Sequence, residues 1–377
     1  MNHPSISIAA IGDTNLVSTF SGTPYYFLQA ALQKGWPVIG CSMNLEAVNN
    51  YRKIWNAKQL LSFQKAGGYQ YSTDFAKRIL QQIPTEQLSG TVISFNQHFP
   101  PADAVVNNGG KLYHYIDATF SQLIDRYEIG KIIGKRIAKE TLQREKAYFE
   151  AATHIVTMQQ WAADSVIHDY GISPNKVTAI LPGANIIFPE NYVPSVAFKS
   201  GVGKSIPLAL GFVGKDWERK GLKVIIEAAE ILQQQGYLVK INCAGNAPDA
   251  LLHHPLVQFS GFIDKSKNPQ QFIDFLQSCD IGCLFSKAEF SSISVLEFLR
   301  ACVPVAGYVV DGMGDLYFED ASIRFAPYET AETVASKLQQ FIEDDAYRLR
   351  LQEGAANRAN YVTWERCVTE WQKLLQL

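Results

Sequence analysis

Short apolar runs alternate with amphipathic stretches along most of this chain, and the pattern runs through twice. "ISIAAIG" (6–12) reads as a strand. "TPYYFLQAALQKG" (23–35) follows as a helix, with Pro24 in its first turn and Gly35 past its end. "WPVIGCSM", "GTVISFN", "KLYHYID", "ATHIVTM" and "KVTAILPG" are further strands, and "QQWAADSVIHDYG" is a helix closed by Gly171. Strands apolar on both faces, each followed by a helix, imply a parallel sheet covered on both sides. The pattern lapses over 188–207, where prolines, serines and glycines show no period, and 191–207 reads as a linker. It then resumes with "LALGFVG", the helix "GLKVIIEAAEILQQQG", "YLVKINCAG", "VQFSGFI", the helix "NPQQFIDFLQSC", "IGCLF", the helix "SVLEFLRAC", "VPVAGYVV" and a late helix "ETAETVASKLQQFI".

The expected fold class is therefore α/β, with two Rossmann-like, doubly wound domains facing across a cleft. Residues 1–190 form the first and 208–361 the second, with 362–377 as a last helix. A chain of 377 residues suits two cores rather than one. Ligands of such sheets bind beyond the carboxyl ends of the strands, so the cleft is the expected site.

Composition removes several classes. A net charge of −2 gives no global field for nucleic acid. Six scattered cysteines have no paired metal-site spacing and read as free thiols of a reducing cytoplasm. The first residues lack the basic-then-apolar pattern of a signal peptide. No apolar run approaches the ~20 residues needed to span a bilayer. HExxH, GxxxxGK[ST], GxSxG and GxGxxG motifs are absent, and no metal site or cofactor is expected.

Four stretches fall at strand ends. "GFVGKDWERKG" (211–221) carries Gly214, Lys215, Arg219 and Lys220 from a strand into a helix. Cations at a helix N-terminus oppose its dipole, which makes sense if an anion such as a diphosphate binds there. A solvated turn, with Glu218 neutralising Arg219, accounts for the loop equally well. "SKAEFSSISVLEFLRACVPV" (286–305) places Glu289 in a loop, Ser292, Ile293 and Ser294 at a helix start, and Glu297 about two turns on. The start offers unpartnered N–H groups to phosphate, and a carboxylate can take two ribose hydroxyls. The folding-only alternative is a serine cap with Glu297 on the wet face. In "STFSGTPYYF", Gly22 lets backbone approach a ligand or simply turns the chain. In "KLYHYIDATF", Asp117 ends a strand and either faces the cleft or caps the next helix. His114 alternates with it and reads as packed, and His98 in "FNQHFPP" is a weaker cleft candidate.

The basic loop followed by two glutamates with seven residues between them, on a second Rossmann-like domain, resembles the retaining glycosyltransferases of family 4, the glycosyl transferases group 1, which have the GT-B fold. The resemblance places Arg219 and Lys220 on the donor diphosphate, Glu289 on the sugar and Glu297 on the ribose. It reads "VQFSGFIDK", with Phe262, as the turn against the nucleotide base. It likens "VTWERCVTEW" to the segment before a last helix that returns to the N-terminal domain. Phe290, Ser291 and Ser292 replace the family's usual Pro-Phe-Gly, Asp117 stands where a His is common, and Asn185 where an Asp is usual.

The implied activity is transfer of a sugar from a nucleotide diphosphate sugar to a sugar or lipid-linked acceptor, with retention and without a metal ion. The alternatives are an epimerase of the same architecture and a non-catalytic binding protein. The basic stretch 128–149, with Lys131, Lys135, Arg136, Lys139, Arg144 and Lys146, is either a contact for anionic lipid or a solvated helix face. The expected location is the cytoplasm, with peripheral membrane contact through that stretch.

Overall fold

The computed structural model describes residues 6–127, 129–189 and 191–377. They divide into two units, one running to residue 182 and joined by 367–377, the other covering 183–366. Each contains one six-stranded sheet.

In the first unit, β1 (Ile6–Ala9), β2 (Val38–Gly40), β3 (Thr91–Ser94), β4 (Lys111–Ile116), β5 (His154–Thr157) and β6 (Val177–Ala179) stand in the order β2-β1-β3-β4-β5-β6. In the second, β7 (Leu208–Gly214), β8 (Val239–Gly245), β9 (Val257–Phe259), β10 (Ile281–Leu284), β11 (Val305–Tyr308) and β12 (Ser322–Phe325) stand in the order β12-β11-β10-β7-β8-β9. Every ladder is parallel. The chain winds one way from each unit's first strand and then returns to wind the other way. The order therefore reverses between β1 and β3 and again between β7 and β10, and the loops leaving those strands flank a crevice within each unit.

Packing explains where the helices sit. Phe298, on the helix Ile293–Arg300, lies over Gly211 of β7 and Gly282 of β10, which are register partners. A Cβ on Gly282 would stand 2.4 Å from the Phe298 ring, and one on Gly211 would stand 2.8 Å from it. Only glycine lets that helix come so close to the sheet. In the first unit, Phe27 of the helix Thr23–Gln33 meets Phe95, Tyr115 and Trp371 edge-on or tilted, with ring centroids 5.4–6.0 Å apart. Trp371 is fully buried there.

Residues 183–207, which include the stretch expected as a linker, cluster with the second unit. Buried Arg348 reaches the Lys199 carbonyl at 3.2 Å, and Lys199 pairs with Asp280 at 3.0 Å. The strand expected over 257–263 stops at Phe259. Helices Leu45–Leu61 and Thr73–Leu80, and strand β12, have no counterpart in the sequence reading.

Candidate functional site

The site is assembled at the β7/β10 reversal of the second unit. After β7 the chain makes a polar turn organised by Asp216. Its carboxylate accepts from the Arg219 backbone N–H and from Arg219 Nε, both at 3.1 Å, and its carbonyl accepts from the Lys220 N–H at 3.0 Å. Gly221 closes the turn at φ +78°, where a Cβ would collide with the Phe285 carbonyl at 2.3 Å. This presses the turn onto the segment that leaves β10. The Lys287 N–H donates to the Arg219 carbonyl at 3.0 Å, and Arg219 Nη1 donates to the Ala288 carbonyl at 2.6 Å.

Glu289 is the meeting point. Its Oε2 accepts from Arg219 Nη1 at 3.1 Å and from the Ser286 hydroxyl at 3.2 Å, and pairs with Lys220 Nζ at 3.2 Å. The residue is 8% exposed. Burial pushes its carboxyl up, but Lys220 and Arg219 outweigh that and hold it below the ordinary glutamate value. The two basic side chains and the glutamate, 70 residues apart along the chain for Arg219 and Glu289, thus form one charged cluster. A solvated turn neutralised by Glu218 does not describe this loop.

The helix Ile293–Arg300 starts beside the cluster. Ser292 occupies the N-cap position, yet its side chain makes no cap bond. Its hydroxyl is paired with that of Ser294 at 2.9 Å, and the buried Ser291 hydroxyl has no hydrogen-bond partner. The expected serine cap is therefore not formed, and the first-turn N–H groups have no partner inside the helix. Glu297 is not on a wet face: it is 2% exposed and ion-paired with Lys265. Burial raises its carboxyl against the pull of Lys265. Gly214 makes room for the Lys220 stem, since a Cβ there would lie 2.6 Å from Lys220 Cδ. Lys215 stands 5.2 Å over the ring of Phe262, which is 63% exposed.

Two site residues went unnoticed in the sequence. Lys265 ends the quoted "VQFSGFIDK" but carries no local signal for a partner 32 positions on. Asp311, at φ +47°, accepts from the Glu289 N–H at 3.3 Å. A non-glycine residue in that backbone region is a signal available only from coordinates.

The first unit holds the remaining candidates. Gly22 has φ +89° and precedes the helix Thr23–Gln33, and Phe20 and Ser21 before it also have positive φ. Thr119, not Asp117, caps the helix Phe120–Arg126, through a capping box with Gln122. Asp117 is half-buried at the end of β4. His114 is fully buried with Nδ1 3.3 Å from the Asn96 carbonyl, and burial depresses it to about 4. His98 is buried against Tyr71 and Phe120 and is likewise lowered by burial.

Residue 128 of the basic stretch lies outside the described residues. Within the helix Lys135–Ala151, Arg144 is half-buried and donates to the Tyr71 carbonyl, which corrects its expected place on a lipid-facing side. Lys135, Arg136, Lys139 and Lys146 are exposed, and Arg136 is paired with Glu140 at 3.3 Å. Among the described residues no helix is long and apolar enough to cross a membrane. Trp364 Nε1 donates to Asn185 Oδ1 at 2.8 Å, which gives Asn185 a structural partner.

Two parallel six-stranded α/β sheets with this strand order define the GT-B fold, and solved structures agree. Sucrose-phosphate synthase from Thermosynechococcus elongatus matches with a TM-score of 0.66 at 13% identity, over 100% of this chain and 98% of that one. Anabaena HepE in complex with UDP and glucose matches with a TM-score of 0.61 at 14% identity, over 99% and 100%. Residues 204–358 match the family model described as glycosyl transferases group 1. A D-inositol 3-phosphate glycosyltransferase of Corynebacterium aurimucosum is 24% identical over 240 residues, 58% of this chain and 55% of that protein. A homologue of the same name from Corynebacterium efficiens is 25% identical over 236 residues, again 58% and 55%. The chain thus spans little more than half the length of these relatives.

Proposed function

We propose that the chain is a glycosyltransferase that moves a sugar from a nucleotide diphosphate sugar to an acceptor, with retention at the anomeric carbon and without a metal ion. The observation that carries this reading is the convergence of Arg219 and Lys220 on Glu289 beside an uncapped helix start.

Negative charge builds on the diphosphate as the bond to the sugar breaks. Arg219 and Lys220 have more donors than Glu289 uses, and they meet that charge together with the N–H groups near Ser292, Ile293 and Ser294. Preorganised donors of this kind are usually the largest catalytic contribution, and here they do the work a metal would otherwise do. Glu289 is held ionised and accepts a hydroxyl of the donor sugar. Glu297, neutralised by Lys265, accepts the ribose hydroxyls. Phe262 and Lys215 flank the base. The leaving phosphate oxygen takes the proton of the acceptor hydroxyl, so no separate base is required. The HepE complex makes UDP-glucose the first donor to try, and the relatives' name makes a phosphorylated polyol the first acceptor. A lipid-linked acceptor is the second choice, because exposed Lys135, Lys139 and Lys146 suit an anionic surface.

The test is product analysis by NMR after incubation with nucleotide sugars and an acceptor panel, with and without a chelator. Transfer with the donor's anomeric configuration, unchanged by the chelator, supports the reading. An isomerised nucleotide sugar formed without an acceptor makes the chain an epimerase, and donor binding with no turnover makes it a binding protein.

A further inference from the structure

A second polar cavity lies in the second unit, at the opposite end of the sheet from Glu289. It encloses about 250 Å³ and is lined by Lys199, Cys279, Asp280, Cys302 and Gln352, among others. Asp280 precedes β10, and Cys302 lies just before β11. Four observations make this more than a packing gap. Gln352 is only 6% exposed, and its Oε1 is buried with no hydrogen-bond partner, an unmet acceptor that costs stability. Lys199 and Asp280 put one cation and one carboxylate in the same wall, 3.0 Å apart. Cys302 is the one cysteine of the six that is not fully buried. It is held at φ +63° just past the helix Ile293–Arg300.

Cys302 Sγ lies 3.2 Å from the Tyr192 hydroxyl, which also donates to the Arg300 carbonyl at 3.3 Å. The Arg300 guanidinium lies over the Tyr192 ring at 4.8 Å. Cys279, in the same cavity, is buried and pushed up to about 12, which leaves it inert.

We propose that Cys302 is a modification site for a small, amino-acid-like disulfide of the glutathione class. The ligand's carboxylate meets Lys199, its ammonium meets Asp280, and an amide N–H satisfies Gln352 Oε1. The Cys302 thiolate attacks one sulfur of the disulfide, a new S–S bond forms, the old one breaks, and the departing thiolate takes up the proton that Cys302 released. This inference does not depend on the donor-site reading.

The experiment incubates the native chain with oxidised glutathione or with cystamine, which lacks carboxylates, and follows intact mass and peptide maps over time. The expected result is a single glutathionyl group on Cys302, reversed by a reductant and absent in Cys302→Ser. Glutathione disulfide should react several-fold faster than cystamine, and Lys199→Met should abolish that advantage while the folded chain still reacts with cystamine. No adduct on Cys302, adducts spread over several cysteines, or an advantage that survives Lys199→Met would overturn the proposal. Because the readout is mass, it is independent of glycosyl transfer.

Discussion

At the ends of β7 and β10, Arg219 and Lys220 pair with Glu289 and their side chains retain some exposure, whereas near β3, β4 and β5 in the first unit the titratable His98, His114 and Glu145 are buried. Two doubly wound parallel sheets therefore serve two electrostatic ends. In the second unit, a glycine turn and two basic residues overcome the desolvation of Glu289 and hold it ionised. In the first, burial wins: His114 is depressed, and Glu145 is raised to about 8 despite accepting from the Phe120 N–H at 2.9 Å and from the Tyr170 hydroxyl. A crevice at a strand reversal becomes an anion site only where cations arrive to balance what burial takes away.

The largest effect should come from breaking the charged cluster. Arg219→Ala and Lys220→Ala should each lower kcat by about a hundredfold or more, as removal of one preorganised donor does, with the far-UV CD spectrum unchanged. Near-normal turnover in both variants would remove the basis of the mechanism. Glu297→Gln comes next. Loss of a charged hydrogen bond should weaken nucleotide affinity roughly ten- to a hundredfold, measured by titration calorimetry, with a smaller change in kcat.

The first unit should respond to pH rather than to donor. Glu145 has a folded value of about 8 against 4.5 for an ordinary glutamate. The unfolded chain loses this proton first, so the contribution of Glu145 to stability falls as pH rises from about 4.5 to 8 and then levels off. Glu145→Gln should flatten that part of the Tm-against-pH profile. An unchanged slope would mean that the carboxyl is ionised in the folded chain. The smallest effect is expected from Lys215→Ala, a few-fold loss in nucleotide affinity from the cation lost beside Phe262.

Much of this was legible in the residues. Doubly wound sheets follow from apolar runs that alternate with amphipathic ones, and the basic loop and the two glutamates mark the second unit. The helix Leu45–Leu61 escaped because only Val48 in it is fully buried, so it shows no apolar period. The wet-face alternative for Glu297 stayed open because a buried glutamate is rare without a partner, and its partner, Lys265, comes from a loop after β9 that only folding brings near. The folding-only caps offered at two places are not formed, for one reason. Several hydroxyls and carboxylates stand next to each helix start, and backbone geometry decides which is used. Thr119 takes the bond that Asp117 offered as its folding-only alternative, and Ser292 bonds Ser294 in place of the helix.

The central claim is that Arg219 and Lys220 hold a diphosphate at the β7/β10 crevice. Titration calorimetry with UDP at two salt concentrations tests it most directly, using the wild-type chain, Arg219→Ala, Lys220→Ala and, as a control in the first unit, Lys139→Ala. The account predicts binding that weakens with salt, falls about tenfold or more in each of the first two variants, and is unchanged in the control. Equal UDP affinity in all four proteins would contradict it.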